Sequence, residues 1–260
     1  MRPVELIDTH AHLYLEEFSG DLEPTINRAV AEGVSRIYLP AIDSGHHHRM
    51  FALEQQYPNR CFAMVGVHPC YIKAGYREEL EKVSDLLTKR KFAAVGEIGL
   101  DYYWDTSFVR EQRIAFEQQM EMAATYKLPV VIHSRNAMDD TIDMLKAATG
   151  AGLRGIFHCF SGSRQNAEDI IACGMYLGIG GVITYKNAGL AEVVADLPLE
   201  SLVLETDAPY LSPVPFRGKR NESSYLRYIV AKLAEVKGLP VEQVAEATTA
   251  NARKIFGAQQ

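Results

Sequence analysis

The chain alternates short aliphatic or β-branched runs with longer amphipathic stretches, and it does so eight times. The apolar runs cover 4–7, 36–40, 61–67, 93–97, 130–133, 155–158, 175–179 and 202–205. Helix-length stretches lie between and after them, at 22–32, 46–56, 78–90, 110–126, 139–148, 164–173, 189–197 and 224–236. In 110–126, for example, Ile114, Phe116, Met120, Ala123 and Ala124 fall mostly three or four positions apart, the spacing of a buried stripe. Strand–helix alternation implies parallel strands joined by helical crossovers. Closing that sheet gives a (β/α)8 TIM barrel, and a doubly wound open sheet is the alternative. The segment 241–256 reads as an extra C-terminal helix on the outside. No repeat or Pro/Gly-rich linker divides the 260 residues, so residues 1–260 read as one domain.

Hydrophobic residues make up 47% of the chain, enough for one large core. The formal net charge of −6 argues against a dedicated duplex-DNA binder with a basic face. It leaves room for a nuclease, because bound cations can supply the charge that a phosphate requires. Cys61, Cys70, Cys159 and Cys173 form no CxxC pair. The start MRPVELIDTHAHL lacks the pattern of a signal peptide, and the apolar runs are shorter than the roughly 20 residues that span a bilayer. The expectation is a soluble cytoplasmic protein with no membrane association and no obligatory protein partner.

The ligand-capable residues collect at the ends of the apolar runs. His10 and His12 lie two apart in DTHAHL, and residues two apart on extended chain point to one side. Glu97 closes AAVGE, His133 closes PVVIH and His158 closes RGIFH. Asp207 follows LVLET, two residues after Glu205, which places both carboxylates on an inward side. Barrel enzymes build their active sites from residues at the carboxyl ends of several strands. A lone strand-end histidine is more often a structural residue than a ligand. Four on one rim, beside two carboxylates, reverse that balance. His10, His12, Glu97, His133, His158 and Asp207 exceed one tetrahedral shell, whereas a Glu bridging two ions about 3.5–4 Å apart uses them fully. Two divalent cations are therefore expected, with zinc, manganese and magnesium all open.

Other residues carry weaker signals. His68 ends the CFAMVGV run within GVHP and suits a substrate contact, a proton-transfer role or a structural hydrogen bond. His46, His47 and His48 sit at a helix start, where a solvated or capping role is favoured over a third metal site. Gly178, Gly180 and Gly181 offer either a phosphate cradle or close strand packing. Arg217, Lys219, Arg220 and Asn221 follow the eighth run, where a basic patch suits a phosphodiester backbone or is merely a solvated loop. Arg135, beside His133 in HSR, is a candidate phosphate contact or a rim salt bridge. Alternation points the Cys159 thiol away from the mouth, as a packed side chain.

Taken in order, DTHAHL, GVHP, VGEIGLDYY, HSR, HCFSG, LETDAPYL and RGKRNE resemble the TatD family of metal-dependent hydrolases, from Ile7 to the terminal NARKIFG. Members of that family are generally described as deoxyribonucleases with amidohydrolase-like barrels. The resemblance implies His10 and His12 on one ion, His133 and His158 on the other, Glu97 between them, and Asp207 at the acidic position after the eighth strand. Some members replace the first HxH pair, which this chain keeps. Ser223 departs from the pattern, since a proline is more usual after RNE.

These residues suggest phosphodiester hydrolysis by a metal-activated water, with Asp207 accepting its proton and Glu205 supporting from behind. Glu97 is shared between the ions, and His68, Arg135, Arg220 and Asn221 are the expected substrate contacts. Acidic charge and the scarcity of exposed aromatic runs favour single-stranded DNA or chain ends over a broadly wrapped duplex. Hydrolysis of a small cyclic amide or ester is the rival chemistry. A non-catalytic metal-binding barrel is the rival of another class, disfavoured because structural sites are closed whereas these ligands lie on an open rim.

Overall fold

The structure, a computed structural model, describes residues 4–148, 150 and 152–257. Eight parallel strands alternate with helices: β1 Leu6–Asp8, α1 Leu22–Ala31, β2 Val34–Leu39, α2 His47–Gln56, β3 Cys61–Ala63, α3 Tyr76–Lys89, β4 Val95–Asp101 and α4 Val109–Tyr126. The second half continues with β5 Val130–Arg135, α5 Met138–Ala147, β6 Gly155–Phe157, α6 Arg164–Ala172, β7 Met175–Ile179, α7 Leu190–Ala195, β8 Leu202–Leu204 and α8 Leu226–Lys237, before a final helix α9 Val241–Phe256. Strands β1–β3 form one ladder and β4–β8 another. Parallel bridges between Val65 and Val95, and between Ala11 and Ala208, join the two arcs into a closed TIM barrel. Closure removes the exposed strand edges that an open sheet would carry.

One apolar cluster joins Ile7, Tyr38, Met64, Ala94, Val131, Ile156 and Val203, drawn from different strands or the residue next to one, with Ala252, Ile255 and Phe256 of α9. The final helix therefore does more than lie on the outside. Phe256 stacks on Tyr38 with ring centroids 3.7 Å apart. Asn251 Nδ2 donates to the Leu202 and Leu199 carbonyls, and Thr249 donates to Glu5 O, all near the amino ends of strands. Helix α9 thus plugs the amino end of the barrel and leaves the carboxyl end open for chemistry.

Three strands differ from the sequence expectation in ways that matter for the site. Strand β4 runs on past Glu97 to Asp101. Its register with β5 slips between Gly96 and Ile98, so Glu97 lies in an irregularity that re-aims a side chain. Strands β6 and β8 stop at Phe157 and Leu204, before the functional residues rather than at them.

Candidate metal centre

The carboxyl-end rim of β1 supplies His10 and His12. His10 Nε2 and His12 Nε2 lie 3.2 Å apart, with Glu97 Oε2 at 3.2 and 3.6 Å and Asp207 Oδ1 at 3.7 and 3.6 Å from them. The other oxygen of Glu97 faces different imidazoles: His133 Nδ1 at 2.9 Å, His68 Nε2 at 3.4 Å and His158 Nε2 at 3.8 Å. The two oxygens of a single buried carboxylate thus sort the imidazoles into two sets. His158 Nε2 also approaches Asp207 Oδ1 at 3.9 Å, so Asp207 touches both sets.

Backbone geometry places the carboxylates. Asp207 has a left-handed φ of 57°, and its N–H donates to His10 O at 2.9 Å, which pins its loop over β1. Asp8 holds the same loop from below, accepting from the Thr206 N–H at 3.0 Å and the Thr206 hydroxyl at 2.7 Å. Burial, against those donors, pushes Asp8 up to about 7.

Three of the imidazoles, those of His12, His133 and His158, are oriented from behind. The Tyr14 hydroxyl donates to Pro40 O at 2.6 Å, leaving its lone pair to accept from His12 Nδ1–H at 3.0 Å. That fixes the tautomer and leaves His12 Nε2 with a free lone pair. Asp101 Oδ2 lies 2.9 Å from His133 Nε2, so the ring turns Nδ1 toward Glu97. Glu205 Oε1 lies 3.0 Å from His158 Nδ1 and accepts from the Cys159 N–H at 2.6 Å. His68 differs. Its Nδ1 accepts from the Cys70 N–H at 3.1 Å, so in the neutral ring Nε2 carries the proton and acts as a donor toward the site.

Charge balance shows what the cluster lacks. Burial opposes the ionised form of Glu97, yet the His68, His10 and His158 imidazoles hold its carboxyl well below the usual range. Burial would likewise lower His158, but Glu205, Glu97 and Asp207 push it up to about 10. Burial and the neighbouring His158 lower His10. Glu205, Glu97, Asp207 and Asp101 thus favour protons on His158 and His133 against burial, which is a demand for cations. The donor spacing fits that demand: ligands about 2.1 Å from a tetrahedral ion lie about 3.4 Å from one another, and the His10 and His12 imidazoles lie 3.2–3.7 Å from each other, from Glu97 and from Asp207. The residues present fit divalent metal ions.

Asp101 and Tyr14 were missed by sequence reasoning. Alternation continued two steps past Glu97 would have found Asp101; nothing in the sequence marks Tyr14. Cys159 lies elsewhere than alternation implied. Its φ of 46° turns the chain just beyond β6, and its thiol lies within a group with His158 and Glu205. Burial, together with Asp207 and Glu205, pushes that thiol well above its ordinary range. Arg220 donates to both Asp21 oxygens, at 2.6 and 2.7 Å, and to Glu17 O. The amide of Asn221 donates to Thr206 O and Tyr210 O, both at 2.7 Å, and braces the Asp207 loop. Gly178 of β7 packs against Glu205 and Gly181 against Leu211 O, so both mark close approach of the chain that follows β8. His46 pairs with Asp43 at 2.6 Å and His47 is buried, so the run is not uniformly solvated. Exposed aromatic rings also stand at the rim: tertiary folding brings Tyr71 near His68 and Tyr210 near His12, and sets Tyr103 and Trp104, neighbours in the run YYW, beside Arg135.

Comparison with known proteins gives the family. A family model described as TatD related DNase matches residues 7–257. A metal-dependent hydrolase of Bacillus subtilis, YabD, is 40% identical over 96% of this chain and 98% of its own length. A protein of Pectobacterium parmentieri named 3'-5' ssDNA/RNA exonuclease TatD is 33% identical over 96% of this chain and 99% of its own. The crystal structure of YJJV, a TatD homologue from Escherichia coli, superposes with a TM-score of 0.92 at 36% identity, covering 97% of this chain and 98% of that one.

Proposed function

The chain belongs to the TatD related DNase family of metal-dependent hydrolases, and on that footing we propose that it cleaves phosphodiester bonds of DNA, acting on single strands or chain ends with an activated water. The observation that carries this reading is the division of imidazoles between the two oxygens of Glu97 on an open rim. His10, His12, Glu97 and Asp207 would hold one divalent cation, and His133, His158 and Glu97 the other. Such a pair supplies Lewis acidity that lowers the pKa of water and neutralises charge on phosphoryl oxygens.

The chain's own residues do the rest. Asp207 is partly exposed to the mouth and orients the attacking water, accepting its proton. Burial keeps the His68 imidazole neutral, so its Nε2–H donates to a phosphoryl oxygen. Tyr14, Asp101 and Glu205 lock the imidazoles in place before substrate arrives, which spares reorganisation during reaction. Arg135 contacts the phosphate backbone, while Arg220 and Asn221 hold the rim that substrate meets. The Pectobacterium relative's name supports a nucleic-acid strand as substrate.

The test is incubation of purified, metal-analysed protein with end-labelled single-stranded DNA, with and without chelator, beside His10→Ala and Asp207→Asn. Chelator-sensitive cleavage that both variants lose is the expected result. Cleavage that survives either treatment would refute the reading. Failure to cleave under any metal, with turnover of small cyclic amides or esters, would replace it with amidohydrolase chemistry.

A further inference from the structure

We propose that Tyr103, Trp104 and Arg135 form a subsite that stacks one unpaired nucleobase and clamps its phosphate beside the His133 edge of the metal centre. The proposal rests on the phosphodiesterase reading and adds to it the recognition of a base face.

Trp104 is 68% exposed, the most exposed large hydrophobic side chain among the described residues, and Tyr103 beside it is 51% exposed. Rings this open are held on a fixed loop. Asp101, almost fully buried, accepts from the Tyr103 N–H at 2.9 Å and the Trp104 N–H at 3.2 Å through Oδ1. Its other oxygen lies 2.9 Å from His133 Nε2. One carboxylate therefore ties the two aromatic residues to the imidazole proposed to hold a metal ion. The far side of the loop is fastened by the Lys73–Asp105 ion pair, with Lys73 also over the Phe108 ring.

Arg135 supplies the charge. It pairs with Asp101 across the β4–β5 ladder and follows His133 by two residues, on the same side of the strand. Its guanidinium carbon lies 3.8 Å from the Tyr103 ring centre and 5.3 Å from that of Trp104. Arg28, Arg90, Arg113, Arg164, Arg220, Arg227 and Arg253 are each bound to a carboxylate. Among the described residues, Arg135 has no ion pair and no side-chain hydrogen bond, and it keeps its donors for an anion. A planar cation stacked on an aromatic face suits bidentate phosphate contact. An open indole next to it suits the π-face of a base, which is accessible only when that base is unpaired. In a chain of net charge −6, this pairing of an unspent cation with solvent-facing rings matches a nucleotide better than a protein or lipid surface.

Trp104 is the sole tryptophan of the chain, so its emission reports the subsite directly. The Asp207→Asn protein, with the metal it retains, is titrated with a short oligodeoxythymidylate and with an abasic oligomer of equal length. The base-bearing strand is expected to quench the emission and to bind roughly 5–150-fold tighter than the abasic one, the range for one stacked base. Binding by the Trp104 variants is read from the anisotropy of the same strands carrying an end label; Trp104→Ala is expected to abolish that preference, and Trp104→Phe to keep most of it. In the otherwise wild-type enzyme, Trp104→Ala raises KM for the base-bearing strand by a similar factor. Unchanged emission at saturation, or equal preference in Trp104→Ala, overturns the subsite while cleavage by the wild type leaves the phosphodiesterase reading standing. No binding and no cleavage of any strand overturns both.

Discussion

Gly178→Ala tests how the centre is held together. A Cβ at this position would lie 2.2 Å from Glu205 Oε2 and 2.6 Å from its Cδ. Ordinary contact needs the carboxylate to retreat by roughly 1 Å. Retreat is difficult, because Glu205 is fully buried, accepts from the Cys159 N–H at 2.6 Å and lies 3.0 Å from His158 Nδ1. Losing a hydrogen bond to a charged group costs about 1.5–3 kcal/mol. Losing the partner behind a metal-binding imidazole weakens metal affinity about 10–100-fold, or about 1.4–2.7 kcal/mol, a similar magnitude reached by another route. Gly178→Ala should therefore bind divalent metal about 10–100-fold more weakly in competition with a chelating indicator. The melting temperature of its metal-free form should fall by roughly 3–12 °C. Gly180→Ala is the control: a Cβ there meets nothing closer than 3.7 Å, and a change within about 0.5 kcal/mol is expected. Wild-type affinity and melting temperature in Gly178→Ala would refute the role given to Glu205. Equal damage from both variants would point instead to a glycine-built phosphate cradle.

Three further outcomes follow from the same geometry. Tyr14→Phe leaves His12 Nδ1 without its acceptor and should weaken metal binding about 10–100-fold by chelator competition, with far-UV circular dichroism unchanged; wild-type affinity would mean that the His12 tautomer is set elsewhere. In metal-free protein the folded-state pKa of His158 is raised from 6.5 to about 10, so its stabilising contribution is complete below pH 6.5 and is lost as pH rises through about 10. Calorimetry of chelator-treated protein should show that decline, metal binding should release protons and tighten with pH over the same window, and Glu205→Gln should flatten both profiles; a flat wild-type profile would contradict the assignment. Asp101→Asn removes the charge behind His133 and should lower metal content in the purified protein while the far-UV spectrum is retained; full metal occupancy would show that the contact does not orient the ring.

The order of elements and the positions of His10, His12, Glu97, His133 and His158 were legible because each closes or follows an apolar run, and a parallel barrel brings such ends to one face. Asp101 was hidden by a strand taken to end at Glu97, four residues early. Alternation failed at Cys159 because it belongs to extended chain, and a φ of 46° is not extended. Arg220 and Asn221 read as available polar groups because their partners lie far off in sequence or on backbone: Asp21 is 199 positions from Arg220, and Asn221 meets main-chain carbonyls.

By itself, the sequence determined the barrel and the rim on which its strand-end histidines and carboxylates lie. These follow from local periodicity, which one strand or helix encodes alone. Only the tertiary structure decided which oxygen of Glu97 each imidazole meets, which tautomers Tyr14 and Asp101 impose, where α9 closes the barrel, and which cation stays unspent beside Trp104. Those choices depend on distances between residues remote along the chain, and a one-dimensional pattern fixes the side a residue faces but not the partner it finds there.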